Sequence, residues 1–447
     1  MLHTIRHERE QWVIIGVAAL LALALPAAGL TAVDTGAITW AMFAVPALVL
    51  ASLLLGFSTP TGALLALCVA MSMERFSFSL FASGSVNLRV DELVAPGVAI
   101  GALLRASVRG RLASVLARTP GLLPLTLFIL ENLVSTLVSH SGDRTRELSL
   151  FAVLAVGALC YAGICAIAAE LRDVKKLLLP LLIAAAVEAA FGLAALAISA
   201  VSGSPDTFGV QVDPITHYIE PYGTMYEANF FGHYLAAIAV LVLGLCVVRR
   251  VARGSRRTVV LALLPVLLLT LAGTAASLTR AAWLALAVGA VVALWLASQG
   301  GVHARASESP SRASSLRAVA LAVVGAAALV VVFSGSLPGA VGDRLNSLLD
   351  FQSGSGAGRA LTVSLVLNDW KRNPLLGLGN ASFNILVPGQ TLGGTPWIFS
   401  MGLAILHDSG VIGMALFVWF LYAVFRQALR TLRISSSPAF QAAAVGG

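Results

Sequence analysis

Charge is what this sequence has least of. Asp, Glu, Lys and Arg make up only 11% of its 447 residues, against about a quarter in a soluble globular domain. That shortage excludes an ordinary water-solvated fold. Cysteine is scarce as well. Cys68, Cys160, Cys165 and Cys246 all lie inside apolar runs, without the spacing of a zinc or redox site, and read as reduced packing residues. Acidic residues number 21 against 29 basic ones, a net charge of +8. A basic excess can signal nucleic acid, but here the cations cluster at the ends of apolar runs, where they act as a topology signal. No nucleic-acid partner is expected. No phosphate loop is expected either: "GQTLGG" and "GSGAG" follow no strand and read as hinges.

What the chain does have is hydrocarbon. It is 58% hydrophobic with a mean hydropathy of +0.90. Apolar runs of about 20 residues recur throughout, each long enough to cross a bilayer as a helix. They fall at 12–30, 38–56, 59–78, 91–106, 120–139, 148–170, 177–200, 228–248, 258–275, 281–298, 317–335 and 403–425. The N-terminus resembles a signal peptide, but Glu8 and Glu10 and the length of the run from Trp12 favour a retained first helix. The connectors alternate in charge: "RASVRGRLASVLARTP", "RDVKK", "RRVARGSRR", "HARASESPSRASSLR" and both termini are basic. Placing these on one face collects 20 of the 29 cations there, so both termini are expected in the cytoplasm. The expected fold is all-α: a polytopic membrane protein of about twelve transmembrane helices. Residues 1–335 would hold the first eleven spans, 336–402 a large external loop with short helices, and 403–447 the last span and a cytoplasmic tail. Loops of that length are usually functional.

One cation defies the charge bias. The stretch "TVVLALLPVLLLTLAGTAASLTRAAWLALAVGAVVALWLAS" carries a single charge, Arg280, at an external turn between two spans. Ionisable residues near hydrocarbon are functional candidates by default. Arg75, Arg89, Arg144, Arg146, Arg344, Arg359, Lys371 and Arg372 share the external side. Arginine there suits a phosphate, because its guanidinium is a planar fork of donors that stays charged. A lipid headgroup or an ion pair would occupy any one of them equally well.

Several segments, in order, resemble the bacterial O-antigen ligase and polysaccharide polymerase superfamily. "SLTRAAWLALAVG" is similar to its Ser-x-Ser-Arg signature, and "GRALTVSLVLNDWKRNPLLGLGNASF" to its Gly-Arg, amphipathic helix and Asn-Pro-x-x-Gly-x-Gly. "YGTMYEANFFGHYLA", "NLRVDELVAPGVAIGALL" and "HDSGVIGMALF" resemble the starts of its central, early and late spans.

The resemblance implies an integral-membrane glycosyltransferase that needs no metal or other cofactor. It would sit in a bacterial inner membrane and face the periplasm. Its partners would be a lipid-linked oligosaccharide donor on polyprenyl diphosphate, a glycan or lipid acceptor, and the membrane lipid. By the same resemblance Arg280 and Arg359 match the two diphosphate-binding arginines, with Arg344, Arg372 and Lys371 as weaker members of the cluster. Ligases of the family carry a His-Asn pair roughly three helical turns before the late Gly-x-x-Gly. Here that register lands on Phe399 and Ser400, which favours a polymerase. The candidate bases are then His407, three residues before Gly410, and Glu227, at the start of the eighth span. The first is equally readable as a helix-end residue bonded to Asp408, the second as a carboxylate favoured by the helix dipole.

Glu131 and Glu188 lie deep in spans and need a partner, in helix packing or in catalysis. His233 and Tyr234 are candidates to line a cavity, whereas His140 and His217 read as solvated loop residues. A flippase of lipid-linked oligosaccharide is the rival reading, but no internal inverted repeat of the transporter kind is visible.

Overall fold

A computed structural model describes residues 37–79, 87–139, 144–171, 174–213, 217–251, 256–300, 354–383, 398 and 400–434. The expected spans 12–30 and 317–335, the basic linker between 301 and 317, Phe399, Arg344, His140 and most of the expected outer loop lie outside these residues. The helices are α1 Ala37–Ser58, α2 Pro60–Met71, α3 Val90–Val108, α4 Leu112–Arg118, α5 Leu122–Val138 and α6 Arg144–Glu170. They continue with α7 Val174–Ser202, α8 Ala228–Val251, α9 Arg256–Ala276, α10 Arg280–Gly300, α11 Gly354–Trp370 and α12 Met401–Ile434.

Among the described residues, four stretches are long and apolar enough to cross a membrane: Arg144–Glu170, Lys176–Ser202, Ala228–Cys246 and Met401–Thr431. A fifth follows if α3 and α4, bent by 119°, count as one span. With several shorter apolar helices beside them, the chain is a polytopic helical membrane protein. The run at 59–78 ends its helix early, at Met71. Thr59 caps the start, its hydroxyl accepting from the Gly62 N–H at 3.0 Å, and Pro60 opens the first turn. Twelve residues rise only about 18 Å. Glu74 and Arg75 then turn the chain into a hairpin in which β1 (Ser77–Ser79) pairs antiparallel with β2 (Asn87–Arg89). A second small hairpin pairs β3 (Val210–Val212) with β4 (Ile219–Pro221). Neither was visible in the apolar pattern.

The described residues form two compact units built from discontinuous stretches, one within Met1–Ala102, Ile167–Leu345 and Ala428–Gly447, the other within Leu103–Ala166 and Asn346–Gln427. The first is organised around α8, the most enclosed of the four long spans. Its Phe231, Leu235, Ile238 and Val242 interlock with Leu182 and Ala185 of α7 and with Leu263 and Leu267 of α9. In lipid such packing is held by dispersion and close fit, because hydrocarbon outside is as apolar as leucine inside.

The second unit is organised around a break in α12. Gly410 leaves the helical path with φ of 63°, and the 374–379 segment runs against the opened backbone. Pro374 and Leu375 carbonyls accept from the N–H groups of Val411 (3.0 Å) and Ile412 (3.2 Å), while Leu378 and Gly379 donate to the carbonyls of His407 (2.9 Å) and Asp408 (3.0 Å). Irregular backbone at membrane depth survives only when protein satisfies it in this way. The approach needs two glycines. A Cβ on Gly410 would lie 2.2 Å from the Leu375 oxygen, and one on Gly377, itself at φ 73°, 2.4 Å from the Asp408 carbonyl carbon. Around this break, Phe128 of α5 packs on Phe417, and Tyr161 of α6 on Phe420. Gly410→Ala and Gly377→Ala should each cost at least about 1–3 kcal/mol through strain and overpacking. The readout is a lower melting temperature of the detergent-solubilised protein; an unchanged transition would show that the contact is not tight.

Candidate functional site

The Arg280 turn is built by its own neighbours. After α9 ends, Ser277 donates its hydroxyl to the Thr274 carbonyl at 2.8 Å, and Leu278, buried, takes a left-handed φ of 51°. A leucine in that region is strained, and such strain persists only where the surroundings impose it. The Thr279 carbonyl then accepts from Ala282 (3.0 Å) and Trp283 (3.1 Å), which starts α10. The Trp283 indole N–H folds back onto the Thr274 carbonyl at 3.0 Å and closes the turn. Each part of "SLTRAAW" therefore has a local task, and Arg280 emerges as the first residue of α10, half-buried. Helix starts concentrate unpaired N–H groups and positive potential, the setting in which an anion is bound.

A second helix starts beside it. The Thr279 hydroxyl lies 3.3 Å from the Ala228 carbonyl oxygen and 3.4 Å from Asn229 Oδ1. The close approach depends on Gly232, where a Cβ would fall 2.4 Å from Ser277 Oγ. Glu227, half-buried, stands immediately before α8, and its carbonyl accepts from Phe231 at 3.2 Å. The residue before Arg280 thus touches the residues that follow Glu227. His233 points its Nδ1 at the Asn229 carbonyl, 2.7 Å away. Tyr234 packs against the α7–α9 core.

The loop leading to Glu227 is held by Glu188 of α7, which the sequence marked as needing a partner. Its carboxylate accepts from the Thr224 N–H at 2.7 Å and from the Thr224 hydroxyl at 2.7 Å. The same hydroxyl contacts the Ser72 carbonyl oxygen. Arg75 donates to the Tyr226 carbonyl at 2.8 Å and lies over the Tyr222 ring, 4.8 Å from its centroid. Arg89 pairs with Glu74 (2.9 Å), Asp91 (3.2 Å) and Glu92 (3.1 Å). Arg75 thus ties the loop to the rest of its unit, and Arg89 is engaged by three carboxylates.

The other unit contains Arg359, Arg372 and His407. Arg359 is exposed on α11. Arg372 is exposed too and forms an ion pair with Asp369 at 2.9 Å. His407 is fully buried. Its Nε2 lies 3.1 Å from Asp369 Oδ2 and its Nδ1 2.8 Å from Asp408 Oδ1. The Phe383 ring meets it edge-on at 5.4 Å. Asp408 is fixed in turn: Oδ2 accepts from the Ala381 N–H at 2.9 Å, and its carbonyl from the Ser135 hydroxyl at 2.6 Å. The next residue, Ser409, donates to Asn132 Oδ1 at 2.9 Å. Asn132 Nδ2 donates to the Phe128 carbonyl at 2.8 Å and lies 3.4 Å from Glu131. Glu131 is thus part of a helix-packing network. Asp369 was missed in the sequence; the signal was its standing as the one acidic residue in "GRALTVSLVLNDW".

Of the anticipated residues, then, the structure brings the helix starts of Arg280 and Glu227 together in one unit, and links Arg372 to His407 through Asp369 in the other. Arg344 lies outside the described residues. Among the described residues no group of three or more His, Cys, Asp or Glu side chains is arranged to hold a metal ion.

Residues 265–418, from within α9 to within α12, match the sequence profile of the family described as O-antigen ligase. That stretch includes the Arg280 turn, α11, the 374–379 segment and the break at Gly410, while Glu227 precedes it. No curated protein matches the chain. Over residues 265–418, with the built turn at Arg280 and the glycine-dependent break at Gly410, the chain therefore carries an O-antigen ligase domain.

Proposed function

We propose that the protein is a membrane glycosyltransferase that moves a glycan from a polyprenyl (undecaprenyl) diphosphate carrier to an acceptor hydroxyl. It would polymerise or ligate O-antigen, capsule or exopolysaccharide repeat units. In the step, the acceptor oxygen bonds to the anomeric carbon as the bond from that carbon to the diphosphate oxygen breaks. The diphosphate leaves with the electron pair, and the hydroxyl proton passes to a base. We assign this work to a bacterial inner membrane protein of about twelve spans, with both termini cytoplasmic and its site on the periplasmic side.

The observation that carries this reading is the position of Arg280, the first residue of an apolar helix inside the family-matched domain. Negative charge grows on the leaving oxygen, and a guanidinium already fixed at a helix start stabilises it without reorganising. No metal is required for that task. Arg359 is the second diphosphate ligand by the family likeness, with Arg344 and Arg372 in support. Of the two candidate bases, Glu227 is only half-buried and stands beside the Arg280 turn, so the proton transfer is assigned to it. His407 is enclosed by two carboxylates and a phenyl ring and is assigned no transfer to substrate.

Arg280→Ala and Arg359→Ala should each lower turnover about 10²–10³-fold, as loss of one transition-state donor does elsewhere. Lys should rescue poorly, since it cannot bind two oxygens in one plane. Polymer length in cells reads the effect, and lipid-linked repeat units should accumulate on the outer leaflet. Accumulation on the inner leaflet would instead indicate a flippase, and normal polymer from either variant would exclude the enzyme reading. Glu227→Gln should lower turnover about 10²–10⁴-fold with little change in donor KM, if it is the base; a pure KM effect would remove it from that role.

A further inference from the structure

The proposed chemistry uses Arg359 but does not say what holds it. It stands on α11, whose apolar face packs Val366 and Leu365 against Phe383 and Leu403. Contacts of that kind are non-directional and would tolerate a sliding or rotated helix. The polar contacts at the C-terminal end of α11 are of another kind. Arg372, Asp369, His407, Asp408 and the Ala381 N–H form an unbroken chain with links of 2.9, 3.1, 2.8 and 2.9 Å. Asp369 and His407, at its centre, are both buried. The far end of the chain is anchored where α12 breaks, because the carbonyls of His407 and Asp408 are themselves bound by Leu378, Gly379 and Ser135.

We infer that Asp369 and His407 form a charged clasp fixing the register of α11 on the break in α12, which makes them positioning residues for Arg359. This rests on the reading that Arg359 binds the donor diphosphate. Arg359 and Asp369 lie on one continuous helix, about 15 Å apart along its axis, so fixing one end sets the position of the other. The clasp also accounts for His407 being fully enclosed in the same segment as the late-span motif: its partner is a residue of α11, not a substrate. Small errors in placing a binding group are expensive, with a displacement of about 1 Å costing about 100-fold in rate.

The test is a mutant cycle on the full-length protein in lipid nanodiscs, with binding of undecaprenyl diphosphate as the readout. Asp369→Asn and His407→Gln should each weaken binding about tenfold, within the range of coupled neighbours. In an Arg372→Ala background, which removes the other cation that Asp369 holds, Asp369→Asn added to Arg359→Ala should weaken it no further, because the clasp acts through Arg359. Added to Arg280→Ala, the same change should multiply the loss, since Arg280 does not stand on α11. If Asp369→Asn does not yield folded protein, Asp369→Glu, which keeps the charge but moves it by one methylene, runs through the same cycle. Losses that multiply in the Arg359 double variant, or wild-type binding by Asp369→Asn while Arg359→Ala is impaired, would overturn the clasp alone. Wild-type binding by Arg359→Ala would overturn the donor reading first, and the clasp with it.

Discussion

A backbone that leaves the helical path at membrane depth exposes N–H and carbonyl groups that lipid cannot satisfy. At Gly410 this constraint is met by a segment thirty-odd residues earlier in the chain. Pro374, Leu375, Leu378 and Gly379 each supply one hydrogen bond to the opened backbone. The arrangement has a consequence beyond stability. Because the repair comes from the segment directly after α11, the break and that helix cannot be positioned independently. Asp369, at the end of α11, then reaches His407 just above the break. The segment that satisfies the backbone and the contact proposed to fix the helix that carries Arg359 therefore meet at one place, around His407 and Asp408.

The Arg280 turn solves a related problem by local means. Only three residues separate α9 from α10, and the turn is closed on the Thr274 carbonyl, which receives both the Ser277 hydroxyl and the Trp283 indole. The cost is a leucine held at positive φ. In return, Arg280 starts a helix whose dipole adds to its own charge. Near hydrocarbon a guanidinium is costly, which is why Arg280 is the residue proposed to meet the diphosphate. Arg75 and Arg89 are tied to carbonyls, aromatic rings and carboxylates within the protein. Being on the external side of the charge pattern was therefore not enough to mark a ligand-binding arginine.

Much of the architecture was legible because it depends on composition. Apolar runs gave the positions of α1, α3 and α5 to α10 to within a few residues, and a lone charge between two of them pointed to Arg280. What was not legible depends on contacts between distant residues. Gly410 looks like any tolerated glycine in an apolar run until the 374–379 segment is placed against it. The His407–Asp369 contact joins residues 38 apart in sequence. Glu188 was visibly in need of a partner, but nothing in the pattern singled out Thr224. The short helix ending at Met71 misled for another reason: methionine and phenylalanine extend an apolar run equally well in a helix or in the hairpin that follows.

The account stands on Arg280 and Arg359 holding one diphosphate at the outer membrane boundary. A cryo-electron microscopy structure of the protein in nanodiscs with bound undecaprenyl diphosphate tests this most directly. The prediction is that phosphate oxygens lie within hydrogen-bond distance of both guanidinium groups, with the lipid tail between helices. A diphosphate bound away from the start of α10, or an Arg280 turn facing the cytoplasmic leaflet, would contradict it.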